Sequence, residues 1–166
     1  MMRKICEKLS SFYERHGRKR VISSDEYMWR HYILFLGREY DPDGNVKEHN
    51  FNAFLHNIRG SDEPTYHDHP WPYMTIILCG GYWEHVPIID SEGYVIGDKK
   101  IWRGPGTVRF AKSSQYHWLE MGEKSTWTLF LRFKRCQEWG FLQFMTNEKI
   151  HWKEWTAKRQ AMGFTR

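Results

Sequence analysis

From Met28 onward the apolar residues of this chain come in short runs, each closed by a turn signal, and this cadence limits the fold more than any other feature. Met28 to Leu36, Phe51 to Ile58, Tyr73 to Cys79 and Tyr82 to Ile89 are rich in β-branched and aromatic residues. Tyr94 to Ile96, Ile101 to Arg103, Thr107 to Phe110, His117 to Met121 and Trp127 to Phe133 continue the series. Between them stand Asp41-Pro42-Asp43-Gly44-Asn45, Gly60-Ser61-Asp62, Asp90-Ser91-Glu92-Gly93, Gly97-Asp98, Gly104-Pro105-Gly106 and Gly122-Glu123. Many short strands with regular turns predict an all-β sandwich or barrel. Gly80-Gly81 reads as a two-residue hairpin loop, because both glycines tolerate positive φ.

The ends differ from the middle. Ile5, Leu9, Phe12 and Tyr13 recur at helical spacing and predict one amphipathic helix that Gly17 ends. Glu148, Trp152, Trp155 and Arg159 have helical spacing too, so the aromatic C-terminal segment is a short helix or an anchored loop. The expected organisation is a helical segment over 1–20, a β-barrel over 27–135 and an extension over 136–166 that packs on it. With 166 residues, one domain is the prior, and such a chain buries enough surface to need no disulfides. Three cysteines at unrelated spacings and no signal-like N-terminus predict a cytoplasmic protein. No run reaches membrane-spanning length, so no membrane partner is expected. The net charge of +5 favours anionic partners, but only Arg18-Lys19-Arg20 is a tight basic run, so nucleic acid is disfavoured against a small anion.

His67-Asp68-His69 carries the sharpest chemistry. Residues two apart on a strand share a face, so both imidazoles can reach one ion. His117 opens a later strand and supplies a third. Imidazole binds Fe, Cu, Ni and Zn. His16, His31, His49, His56 and His151 lack a partner at metal spacing and read as structural.

These residues resemble the cupin superfamily. In its first motif, G(X)5HXH(X)4E(X)6G, His67 and His69 fill the HXH and Gly81 the last glycine, while Ser61 and Met74 stand at the first glycine and the glutamate. In its second, G(X)5PXG(X)2H(X)3N, Gly106 and His117 match, while Lys112, Ser114 and Met121 depart. The wording SDEPTYHDHPWPYMTIILCGGYWEH with KRCQEWGF is also similar to small, largely uncharacterised bacterial and phage cupins. The resemblance implies a single cupin-type jelly-roll β-barrel whose metal ligands are His67, His69 and His117.

A three-histidine face is similar to that of thiol dioxygenases among the cupins. The resemblance therefore implies a divalent metal ion, Fe(II) before Mn, Ni, Zn or Cu, and a dioxygenase-type enzyme acting on a small polar or anionic substrate. Alternatives are a non-catalytic cupin that binds or sequesters a nucleotide or other small anion, and a metal-dependent isomerase or hydrolase. A homodimer would fit the family. With Met74 at the acid position, Glu84 or His85 could supply a fourth ligand. A Gly80-Gly81 hairpin would pair Cys79 with Tyr82 and Ile76 with His85, turning Met74, Trp83 and His85 inward and Glu84 outward unless a bulge intervenes. Trp71, Tyr73, Trp83 and Arg132 are the candidate substrate-binding residues: three aromatics near the motif, and an arginine sharing a strand face with Phe130.

Overall fold

The computed structural model describes residues 1–22, 26–36, 39–40, 46–143 and 148–162. The expected turn at 41–45 lies outside them. A helix, α1 (Met2–Arg15), leads into β1 (Lys19–Ile22), β2 (Met28–Tyr32), β3 (Glu39–Tyr40), β4 (Val46–Lys47) and β5 (Asn52–Ile58). Then come β6 (Tyr73–Cys79), β7 (Tyr82–Ile89), β8 (Val95–Arg103), β9 (Val108–Ala111), β10 (Trp118–Met121) and β11 (Thr126–Arg132). The chain closes with β12 (Gly140–Leu142), β13 (Lys149–His151) and α2 (Trp152–Ala161).

One antiparallel sheet has the order β1-β2-β5-β11-β6-β9 and a second the order β10-β7-β8, with β12-β13 and β3-β4 as small ribbons. The pairings nest: Ile58 faces Thr126, His67 faces His117, Tyr73 faces Ala111 and Tyr82 faces Arg103. A long hairpin rolled up on itself gives this nesting, which is jelly-roll topology. The architecture is all-β and cupin-like, with a helix at each end. Its sheets are not closed into a continuous hydrogen-bonded barrel.

The interior is held by two apolar groups: Ile58, Ile77, Tyr82 and Leu119 between the sheets, and Cys6, Leu55 and Trp127 beneath α1. β5 is buried along its whole length. The helix seats differently from its apolar pattern. Cys6 and Ser10 face the sheet, while Ile5, Leu9 and Phe12 stay more than two-fifths exposed. Polar anchors decide the orientation: Ser10 Oγ meets His31 Nε2 at 2.7 Å and Arg3 donates to Ser125 Oγ at 2.7 Å.

Gly80-Gly81 is a corner and not a hairpin. β6 pairs with β9 and β11, β7 with β8 and β10, so the two strands lie in different sheets. Gly80 has φ +82°, and a Cβ there would sit 2.4 Å from the Ser125 carbonyl oxygen. A Cβ on Gly81 would sit 2.3 Å from the Trp102 ring. The corner resets which residues face inward. On β6 the buried positions are Tyr73, Thr75 and Ile77, so Met74 turns away from the interior, contrary to expectation. On β7, Tyr82 and Glu84 turn inward, and Trp83 and His85 take the other face.

Candidate metal centre

The His67–Asp68–His69 segment runs between β10 and β12. His67 exchanges two backbone hydrogen bonds of 3.0 Å with His117, and Asp68 N donates to Gly140 O at 3.1 Å. Directly opposed residues in such a pair share a face, and the two-residue step places His69 on it as well. The three imidazole centroids form a near-equilateral triangle of 5.0, 5.1 and 5.4 Å. One nitrogen from each ring lies within 4.8 Å of the other two.

Glu84 backs this triangle. Its Oε1 lies 3.0 Å from His117 Nδ1. An ionised carboxylate only accepts, so the His117 proton sits on Nδ1 and the Nε2 lone pair faces the other rings. His69 Nε2 is 2.8 Å from it. Two nitrogens each about 2.1 Å from one ion at right angles are about 3 Å apart, so this spacing suits neighbouring ligands. Burial opposes ionisation of Glu84, but the hydrogen bond to His117 and the charges of Arg109 and Arg103 outweigh it and hold the carboxyl down at about 2. Arg109 Nε reaches Oε1 at 2.7 Å and Arg103 Nη2 reaches Oε2 at 2.8 Å. Burial lowers the pKa of His67 and, with the neighbouring His117 and His67, lowers that of His69 further. Both rings are therefore neutral near pH 7, the form that ligates a metal.

Tyr73 completes the floor. Arg109 Nη1 donates to its hydroxyl oxygen at 2.6 Å, and that oxygen is 3.4 Å from His117 Nε2. Burial pushes the Tyr73 phenol up, so it keeps its proton. His67 and His69 also line a cavity of about 500 Å³ walled by Trp71, Trp139, Phe141 and Trp155. That size suits a small molecule. Asp68, between the ligand candidates, faces the C-terminal segment. Its carboxylate accepts from Gly140 N (2.8 Å), Gln137 Nε2 (2.7 Å) and Lys149 Nζ (2.6 Å).

The other candidates separate. Trp71 lines the cavity and Tyr73 touches His117. Trp83 packs on Trp102 and Lys100, with Arg103 and Lys100 as its strand-mates' neighbours, and does not line the cavity. Arg132 faces Glu48 at 3.5 Å and lies over Trp71, outside the lining. His85 is not brought to the three rings: Asp98 and Glu120 hold its two nitrogens at 2.5 and 2.9 Å, and it stacks on Trp118. Glu84 takes the inward place expected of His85, because the corner after β6 changes sheets. It lies behind His117 and outside the group of three ligand atoms. Sequence reasoning missed Arg30, which lines the cavity from β2, and did not place Arg109 beside Glu84. The one signal in the sequence is a charged residue inside a short strand otherwise made of Met28, Trp29, His31 and Tyr32.

No protein family and no curated protein matches this sequence. Among solved structures, the chain is similar to hydroxypropylphosphonic acid epoxidase from S. wedmorenis, with 11% identity and a TM-score of 0.48 over 70% of this chain and 56% of that one. The chain thus spans little more than half the length of that enzyme, which is also solved in an Fe(II) form. It is similar to the polyketide cyclase RemF from Streptomyces resistomycificus at 16% identity and a TM-score of 0.48, covering 73% and 75% of the two chains. A conserved protein of unknown function from Streptococcus pyogenes matches at 14% identity and a TM-score of 0.44, covering 71% and 90%. Likenesses this distant assign no activity.

Proposed function

We propose that this protein is a mononuclear metal enzyme in which His67, His69 and His117 hold a divalent ion, Fe(II) before Mn, Ni, Zn or Cu. The observation that carries the reading is the Glu84–His117 hydrogen bond, which fixes one imidazole with its lone pair turned toward the other two. A carboxylate behind a ligating histidine is the usual way a protein sets the tautomer and raises ligand basicity. When bound, Fe(II) supplies open coordination positions and electrons for dioxygen chemistry on a small polar or anionic substrate.

The chain's own residues prepare that chemistry. Glu84, neutralised by Arg103 and Arg109, holds the His117 proton at Nδ1. Tyr73 keeps its Oη proton beside the triad and can donate a hydrogen bond there. Trp71, Trp139, Phe141 and Trp155 give the cavity an apolar wall beside the three rings. The aromatic lining also favours a second reading, a non-catalytic module that holds a small anion unchanged. Among the described residues no helix is long and apolar enough to cross a membrane.

The test is elemental analysis of untagged protein, followed by dioxygen uptake with small carboxylates. The reading expects about one transition-metal ion per chain, lost in His67→Ala and His117→Ala. Metal-free protein that takes up no Fe(II), Mn, Ni, Zn or Cu would overturn it. Ligand binding that survives a chelator, with no turnover by the loaded protein, selects the second reading.

A further inference from the structure

The cavity beside the three rings has one feature its apolar walls do not explain. Arg30 lines it from β2, and no carboxylate among the described residues pairs with this guanidinium. Its Nε donates to His56 Nε2 at 3.1 Å, a buried ring that stands directly opposite Arg30 on the neighbouring β5. Its other neighbours are the Phe54 ring, with the guanidinium carbon 5.1 Å from the centroid, and Tyr32. Neither neutralises a charge.

The other charged groups in the lining already have partners, although Asp62 keeps its negative charge because its donors are neutral. Asp62 accepts from the Tyr27 hydroxyl and, at 2.8 Å, from Leu119 N. Arg159 is bonded to Glu63. A partly buried cation without a counter-charge is costly, and an anion entering the cavity removes that cost. The lining also carries flat rings: Phe141, which stacks on Trp155 at 5.0 Å, and Trp139, which stacks on Trp152 at 5.8 Å. A ring inserted there meets aromatic faces while its charge reaches the guanidinium.

We propose that Arg30 is the anion-recognition residue of the cavity, and that the ligand is a ring-bearing carboxylate whose ring rests against Trp155 and Phe141. The proposal rests on the metal-centre reading only for what happens to the ligand after it binds. Recognition by Arg30 needs no ion.

Benzoate is the probe, titrated calorimetrically into the full chain both as purified and after chelator treatment, with circular dichroism to confirm folding. Benzoate should bind in both forms, at least tenfold tighter than benzamide and tenfold tighter than acetate. Arg30→Gln should weaken benzoate binding at least tenfold and leave metal content unchanged, and Arg30→Lys should restore part of the loss. Equal affinity for benzoate in wild type and Arg30→Gln, equal affinity for benzoate and benzamide in wild type, or no benzoate binding at all would each overturn the proposal. The benzoate–benzamide comparison uses wild-type protein alone, so it decides even if Arg30→Gln does not fold. Loss of metal in His67→Ala is a separate measurement, so failure of one reading is visible without the other.

Discussion

Glu84 Oε1 and His117 Nδ1 stand 3.0 Å apart with Glu84 almost completely buried, and this contact joins β7 to the bridge residue that immediately precedes β10. Glu84→Gln keeps the shape but weakens the acceptor and removes the charge that Arg103 and Arg109 face. Metal affinity should fall about 10- to 100-fold, the usual loss when such a partner is changed. Competition with a metal-chelating dye measures it. Glu84→Ala strips the two arginines as well and should cost about 3–5 kcal/mol of stability, read from urea denaturation.

His31 gives a pH dependence that does not involve the centre. Its Nδ1 faces the Leu55 carbonyl at 2.9 Å, which can only accept, so Nε2 accepts from Ser10 Oγ. Burial lowers its pKa below the ordinary 6.5. Below about pH 6.5 the unfolded chain therefore takes up a proton that the folded ring refuses, and stability falls as pH drops toward the folded-state value. Chelator-treated protein should show a lower urea midpoint at pH 5.5 than at pH 7.5. His31→Gln should reduce that difference without abolishing it, because burial also lowers the pKa values of His56, His67 and His69.

Asp68→Asn should loosen the C-terminal segment and leave the roll intact. The carboxylate gathers Gln137, Gly140 and Lys149, and truncating a buried charged acceptor costs about 1–3 kcal/mol. Hydrogen exchange should rise in β12, β13 and α2, with β5 and β11 still protected.

The thiols should react in order of access. Cys136 is exposed, Cys79 intermediate and Cys6 buried. Burial, reinforced by Cys79, pushes the Cys6 thiol up to about 11. Iodoacetamide at pH 8 should modify Cys136 first and Cys6 only after denaturation, as followed by peptide mass spectrometry.

Strand positions were legible because each run of β-formers ended at a turn. Tyr73–Cys79 and Tyr82–Ile89 have the expected bounds. Two runs, Tyr94–Ile96 and Ile101–Arg103, fuse into β8 (Val95–Arg103), since Gly97 pairs with Ile88 and a register shift beside it carries the ladder on to Val95 opposite Ile89. The grouping of His67, His69 and His117 was legible from a strand's two-residue period and the spacing of the motif. The facing of Glu84 was not, because it depends on which sheet β7 joins. Arg30 was hidden for a similar reason: it reaches the cavity through the pairing of β2 with β5. The seat of α1 was misread because its apolar residues suggested the buried side, whereas Ser10 and Arg3 fix it by hydrogen bonds.

The glycine corner has one more consequence. Inward positions are odd-numbered on β6 and even-numbered on β7, so two glycines shift the phase of the alternation. With the path of β7 kept, deleting one residue there would bring His85 into the place of Glu84 behind His117, whereas inserting one would bring Trp83. Chain length at a turn remote from the three imidazoles thus selects whether an acid, a base or an indole stands behind them.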